Sequence, residues 1–271
     1  MNKGAFVSVC ILCCIALLSL FGPLFSPYTS SEIHLALKNI PPSPLFWFGS
    51  DELGRDLFTR LCHGGRISLS VACIATGIDL IIGVLWGSIA AYAGGKIEEF
   101  LMRLCDILHA IPFLLIVIFC NVLLGSGFFT VLLSITLTGW TQMARIVRGQ
   151  VLQLKQFEYI LAARSLGASF PRLLCLHLLP NALGPILAAV AMTIPAAIFA
   201  ESFLSFLGLG IQAPEASWGT MINDGLGALS YYPWRLFIPA GAITCTLLSL
   251  NLLSNGLKDL VKIRPKMLHT R

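Results

Sequence analysis

Three carboxylates lie in or beside long apolar runs of this chain: Asp79, Asp106 and Glu201. In hydrocarbon an acidic side chain is expensive unless it faces the inside of a helix bundle or a wet cavity, so each is a candidate for a translocation path or gate. Asp79 falls near the middle of its run, where a proton relay and the role of a protonated or hydrogen-bonded packing residue both remain open; no second titratable group is placed to pass a proton onward. Asp106 sits near the end of a run with His109 close by, which suits either proton carriage or an ordinary hydrogen-bonded histidine at an interface. Glu201 precedes a glycine-rich stretch and fits a gate or a partner for polar backbone inside a bundle. Acting together, the three would suit an ion-coupled secondary transporter.

Other chemistry is harder to find. No G-x-x-x-x-G-K-[ST] loop is present, since Gly94-Gly95-Lys96 lacks both the leading glycine and the Ser or Thr. There is no H-E-x-x-H and no G-x-S-x-G, which leaves an intramembrane hydrolase without a nucleophile and base. The nine cysteines are scattered without metal-ligand spacing and read as small buried hydrophobes. The expectation is a chain that catalyses nothing, holds no metal or cofactor, and must borrow energy for any uphill work.

The elements that position these residues follow from composition. Of 271 residues 56% are hydrophobic and 11% charged, and the mean hydropathy is +0.84. Soluble domains carry about 25% charged residues, so this is an all-α membrane protein. A span takes roughly 20 residues, and six apolar runs are long enough: about 5–25, 67–92, 104–124, 129–144, 182–203 and 237–253. The organisation expected is an uncleaved N-terminal transmembrane helix (1–26), a periplasmic segment (27–65) kept extended by Pro41, Pro42 and Pro44, a membrane domain (66–257) and a cytoplasmic tail (258–271). Gly94–Asp106 is expected as a short cytoplasmic turn, Pro112 as a kink, and Trp218, Tyr231, Tyr232 and Trp234 as an outer aromatic belt. With six spans most Lys and Arg fall on one side, which makes it and both termini cytoplasmic; Lys38, Arg55, Arg60, Arg66 and Arg235 fall opposite. Nothing forms a basic stripe with stacked aromatics, so no nucleic acid is expected.

The segment about 146–180 is too charged to span and sits between apolar runs. Val147, Val151, Leu154, Phe157 and Leu161 recur at helical spacing, interrupted by Glu158, and predict one helix up to about Ser165. Gly167 then allows a left-handed corner. Ser169 is placed as an N-cap, Pro171 falls in the first turn of a second helix, and Pro180 restricts its end. Helix, corner, helix makes a knob that another protein's groove can grip. Any polytopic membrane protein has such loops, and periodicity does not separate the two readings.

The residues go further. Ala162, Ala163, Gly167, Leu179 and Pro180 resemble the EAA loop of inner-membrane permease subunits of binding-protein-dependent ABC importers, a loop that in the family docks into a cleft on the ATP-hydrolysing subunit. The family's Glu is Leu161 here; Glu158, three residues earlier on nearly the same face, is expected to supply the charge instead. Arg164 and Ala168 complete the loop. FGSDELGRDLFTRLCHGGRISL is similar to the opening of the oligopeptide, dipeptide and nickel class of these permeases, C-type subunit, and AESFLSFLGLGIQAPEASWG to a later segment of it. Taken alone, the Asp-Glu-Leu-Gly-Arg-Asp run reads as a solvated, self-paired turn.

The resemblance implies a type I ABC importer transmembrane domain in the bacterial inner membrane. It also implies a heterodimer with a second homologous permease subunit, two ATP-binding subunits that carry the ATP and magnesium, and an extracytoplasmic substrate-binding protein. The cargo implied is oligopeptides or dipeptides, with nickel or another small solute as the alternative.

Overall fold

A computed structural model describes residues 3–268 of the chain, with side chains for residues 4–256. Its described part is helical, without a β-strand. The first apolar run forms α1 (Lys3–Phe21). The carbonyls that a helix end leaves unpaired are met by Arg66, whose Nε donates to Ser19 O at 2.6 Å and whose Nη2 donates to Leu20 O.

Residues 26–56 are irregular apart from a single turn at Leu35–Leu37, as the prolines require. Irregular chain nevertheless ends at Asp56, within the stretch 27–65. The carboxylate of Asp56 accepts from the backbone N–H groups of Phe58 and Thr59 and so caps α2 (Leu57–Ala93), a single helix of 37 residues. At 1.5 Å per residue that is about 55 Å, longer than a hydrocarbon core of about 30 Å, so α2 projects out of the apolar zone.

After Gly94 the chain departs again from expectation. Gly95–Ala110 is helical (α3) rather than a short turn. Pro112 breaks the chain instead of merely kinking it: Ile111 is driven to an extended ψ of 128°, as the residue before a proline usually is, and α3 and α4 (Phe113–Leu124) meet at 81°. The ion pairs Arg148–Glu98 at 2.6 Å and Arg145–Asp106 at 3.0 Å hold α3 along α5 (Phe128–Leu154), and Trp86 packs edge-on against Trp140 beneath them.

Four stretches are long and apolar enough to cross a bilayer: Gly4–Phe25, Leu57–Ala93, Phe170–Phe206 and Trp234–Gly256. The bent α3–α4 pair makes a fifth. α5, the remaining run read from the sequence, is less apolar and carries buried hydroxyl side chains. Its buried Ser134, Thr136 and Thr141 donate to the carbonyls of Thr130, Leu132 and Thr138 on the same helix, so their polarity is satisfied without water.

α2 and α5 form the most extensive helix pair of the bundle, at Gly83 and Gly87. A Cβ on Gly87 would collide with Ala144 O of α5. Gly87→Ala is therefore expected to destabilise the bundle by about 1–3 kcal/mol through overpacking, read as a lower midpoint of heat-induced aggregation for the detergent-extracted chain. Gly77 on the same helix has open space beside it, and Gly77→Ala is the control expected to change little.

The elbow follows as α6 (Glu158–Ser165), α7 (Phe170–Leu173) and α8 (Leu179–Phe206). The upstream arm is not one helix: α5 stops at Leu154, and Phe157 is extended at φ −73°, ψ 143° before α6 begins. Nor does Pro180 end a helix. Leu174–Leu178 forms a π turn in which Leu179 N–H bonds to Leu174 O, and this wide turn admits Pro180 within the first turn of α8. Ser169 occupies the N-cap position of α7 but makes no side-chain capping bond.

α9 (Trp218–Leu226) is closed by a capping box of Ser217 and Thr220. Trp218 is not part of an aromatic belt: it is 1% exposed, with Nε1 donating to Leu61 O at 3.0 Å. Tyr231 is 80% exposed, as a belt residue would be. α10 (Trp234–Leu268) runs through most of the expected tail as helix; residues 269–271 lie outside the described residues.

Candidate functional site

The elbow lies at the C-terminal end of α2. It is anchored there through Ile160, which is buried with Ala91, Val147, Val151, Leu174 and Leu178 in one cluster. Lys155 Nζ donates to Ala91 O at 2.8 Å, Tyr92 and Phe170 pack with ring centroids 4.4 Å apart, and the Arg164 guanidinium lies over the Tyr92 ring at 6.0 Å. Neither Ile160 nor Lys155 stands out in the sequence as an anchor, because the stripe read there continues past the break to Phe157 and Leu161, both of which are exposed.

What faces outward is the corner. Gly167 has φ +82°, a conformation that side chains with a Cβ resist. Glu158, Leu161, Ala162, Arg164 and Gly167 are exposed, Ala163 and Ala168 partly buried. Leu166 at 88% and Leu161 at 50% exposure make an apolar crest, and Glu158 stands in the first turn of α6, where a carboxylate favours the helix dipole. Leu179 is half-buried and Pro180 exposed at the start of α8. Loop residues that read as one motif thus divide into an anchored side and an open side.

The three carboxylates occupy separate surroundings. Glu201 is fully buried in α8 and accepts from Ser68 Oγ at 2.7 Å, Ser205 Oγ at 2.9 Å and Ser202 Oγ at 3.2 Å. Ser68 in turn accepts from Trp218 N, and Ser205 from Ile211 N, so Glu201 braces α2, α8 and the chain entering α9. Asp106 is exposed on α3, paired with Arg145, beside a charged recess of about 740 Å³ that Lys96 and Arg103 also line. Asp79 is 1% exposed, yet its Oδ1 has no hydrogen-bond partner among the described residues. It lines a cavity of about 400 Å³ between α2, α5 and α8. His109 lines a neighbouring cavity of about 420 Å³ at the α3–α4 break.

At the other end of α2 stands a cluster that the sequence did not announce. The Asp-Glu-Leu-Gly-Arg-Asp run is not a solvated turn: Asp51, Arg55, Asp56 and Arg60 are each 7% exposed or less. Asp51 Oδ1 accepts from the N–H groups of Leu53 and Arg55, and its Oδ2 takes Arg55 Nε at 2.6 Å with Arg60 Nε at 3.5 Å. Arg60 reaches Asp224 of α9 at 3.5 Å, while Arg235 of α10 bonds Asn39 Oδ1, Glu52 and Asp224 O. Gly54 closes the loop at φ +75°, where a Cβ would strike the His34 carbonyl. Arg55, Arg60 and Arg235 are three of the basic residues that fell on the wrong side by the charge rule. All three are buried here and paired with acids.

Helices long and apolar enough to cross a bilayer, tied together at these two ends and carrying an anchored outward corner, define a polytopic membrane protein. Residues 83–266 match the family of binding-protein-dependent transport system inner membrane components, and residues 1–42 match the N-terminal transmembrane domain of oligopeptide transport permease C. The chain belongs to the binding-protein-dependent transport system inner membrane component family. It is 53% identical over 258 residues to the oligopeptide transport system permease protein OppC of Bacillus subtilis, covering 95% of this chain and 85% of that protein. With the dipeptide transport system permease protein DppC of the same organism it shares 51% over 259 residues, covering 95% and 81%. Its fold resembles an inward-facing MetNI methionine ABC transporter chain, with a TM-score of 0.62 at 19% identity over 74% of this chain and 96% of that one.

Proposed function

We propose that this chain is the C-type permease subunit of an ATP-driven importer that moves oligopeptides or dipeptides across the bacterial inner membrane. It pairs with a second homologous permease subunit, and two ATP-binding subunits, which hold the ATP and magnesium, grip the α6–α7 corner. An extracytoplasmic binding protein delivers cargo at the clamp end of α2, and both termini are cytoplasmic. The observation that carries this reading is the corner itself. Leu161 and Leu166 stand open for a partner, while Ile160 on the other face ties α6 into the same cluster as α2, α5 and α8, so a push on the crest moves the spans.

ATP-dependent peptide uptake into vesicles containing the whole complex tests it. Uptake that needs ATP and persists with an uncoupler supports the proposal, whereas uptake driven by a proton or sodium gradient without ATPase subunits overturns it. The second reading, ion coupling through Asp79, Asp106 and Glu201, is not favoured: Glu201 is saturated by serines and Asp106 by Arg145.

The grip also makes a claim about charge. Glu158→Gln is expected to weaken association of the ATPase subunits about tenfold, the scale of one charge-assisted hydrogen bond, as measured by titrating purified ATPase onto the permease pair. Unchanged affinity would assign the grip to the apolar crest alone.

A further inference from the structure

An unpartnered acid stands on a cavity wall, apart from the clamp, the serine brace and the corner. Asp79 is 1% exposed on the middle of α2, and its Oδ1 is without a hydrogen bond. Directly opposite, on α5, is Gly139; any Cβ there would collide with the Asp79 carboxylate, so the carboxylate stands in the space that a side chain would fill. The cavity beside them, about 400 Å³, is mostly apolar and soft, with Met143, Met192, Ile135 and Ile146 on its walls and Gln142 and Thr193 as its other polar side chains. That is the size range of small-molecule pockets, which are mostly apolar with a few placed polar groups. A second cavity, about 420 Å³, shares Phe113, Gly139 and Gln142 with it and reaches back to the α3–α4 break at Ile111 and Pro112. The 81° bend therefore leaves a groove along α5 that leads to Asp79.

The geometry points to an ammonium-binding site: we infer that Asp79 receives a protonated amine of the cargo while the adjoining apolar wall receives a side chain. A buried carboxyl is costly to ionise alone, and an arriving ammonium supplies both the positive charge and the hydrogen-bond donors that favour its ionised form. Methionine walls adapt to side chains of varied shape. A peptide offers such an ammonium from two sources, its amino terminus or a lysine side chain, and the same carboxylate can take either. The inference rests on the peptide-import reading above, and the two fail in different ways.

The experiment is uptake by the complete complex in vesicles, with three short peptides of equal length. One has a free amino terminus and neutral side chains, one is N-acetylated with a lysine, and one is N-acetylated and neutral. Selection by the binding protein is common to wild type and variant and divides out of their ratio. Asp79→Asn keeps the shape and removes the charge. It is expected to lower uptake of the free-amine peptide, the lysine peptide or both about tenfold, the scale of one charge-assisted hydrogen bond lost, and to leave the acetylated neutral peptide within about twofold.

Loss with the free-amine peptide alone assigns the amino terminus, and loss with the lysine peptide alone assigns the side chain. Gly139→Ala, which displaces the carboxylate without deleting it, is expected to shift the same ratios in the same direction. Equal loss for all three peptides with either variant, or no loss for any, overturns the site. If the wild-type complex moves no peptide at all, the import reading has failed instead. Should Asp79→Asn reduce the amount of assembled complex, the ratios between peptides within that variant still decide.

Discussion

Asp51→Ala is expected to destabilise the permease by about 3–5 kcal/mol, the scale of breaking a buried ion pair from one side. The carboxylate is 3% exposed, meets Arg55 at 2.6 Å, and takes two backbone N–H groups of the loop that Gly54 closes. Its removal leaves Arg55 and Arg60 buried with only Asp224 near Arg60, and frees the loop that links residues 39–56 to α9 and α10. The expected result is loss of most of the intact chain from membranes, with residues 27–56 becoming open to protease in what remains. Glu52→Ala provides the contrast. Its side chain is 59% exposed and bonds Arg235 from the rim, so less than about 1 kcal/mol should be lost. Equal behaviour of the two variants would show that burial of the cluster does not matter to stability.

The second large effect is on coupling and leaves the bundle alone. Gly167→Val places a β-branched residue at φ +82°, which costs of order 1–3 kcal/mol of backbone strain at a turn closed only by local backbone hydrogen bonds such as Gly167 N–H to Arg164 O and Ala168 N–H to Ala163 O. Nothing lies within 4 Å of a Cβ at that position, so the effect comes through the corner's shape and not through a clash. The strain is relieved by opening the corner, which parts α6 from α7 and misplaces Leu166. Peptide uptake is expected to fall to background and ATPase subunits to co-purify poorly, while the chain reaches the membrane in normal amount. Gly167→Asn, whose side chain tolerates the left-handed region, is expected to keep most of the uptake. A valine variant that still couples would make the corner dispensable.

Much of this was legible in the residues. Gly167 and Pro171 place the corner and the start of α7 because each acts through its own backbone. The spans are legible because a bilayer asks only for length and apolarity. The break after Leu154 was not, since Val147, Val151, Leu154, Phe157 and Leu161 keep one period across a gap in which the backbone turns extended at Phe157. Pro112 announced a bend but not its 81°, which depends on α3 being held against α5 by Glu98 and Asp106. The clamp was illegible for a different reason: Arg235 and Glu52 are 183 residues apart, and no local pattern links them. Its trace was that Arg55, Arg60 and Arg235 fall opposite most of the Lys and Arg when six spans are counted. Asp79 could be marked as costly from the sequence, but its lack of a partner and the space that Gly139 leaves for it are properties of the packed bundle.

The wide turn at Leu174–Leu178 has one more consequence. An α-helix advances 100° per residue, so one extra residue accommodated in a turn resets the phase of everything beyond it. Leu173 and Leu178, five apart, are both 1% exposed, whereas an unbroken α-helix would turn them well away from each other. Phe170–Phe206 is therefore one continuous helical stretch with an offset built in near its start, and the face that α8 turns towards the bundle at Glu201 is set by that offset together with the internal Pro185 and Pro195.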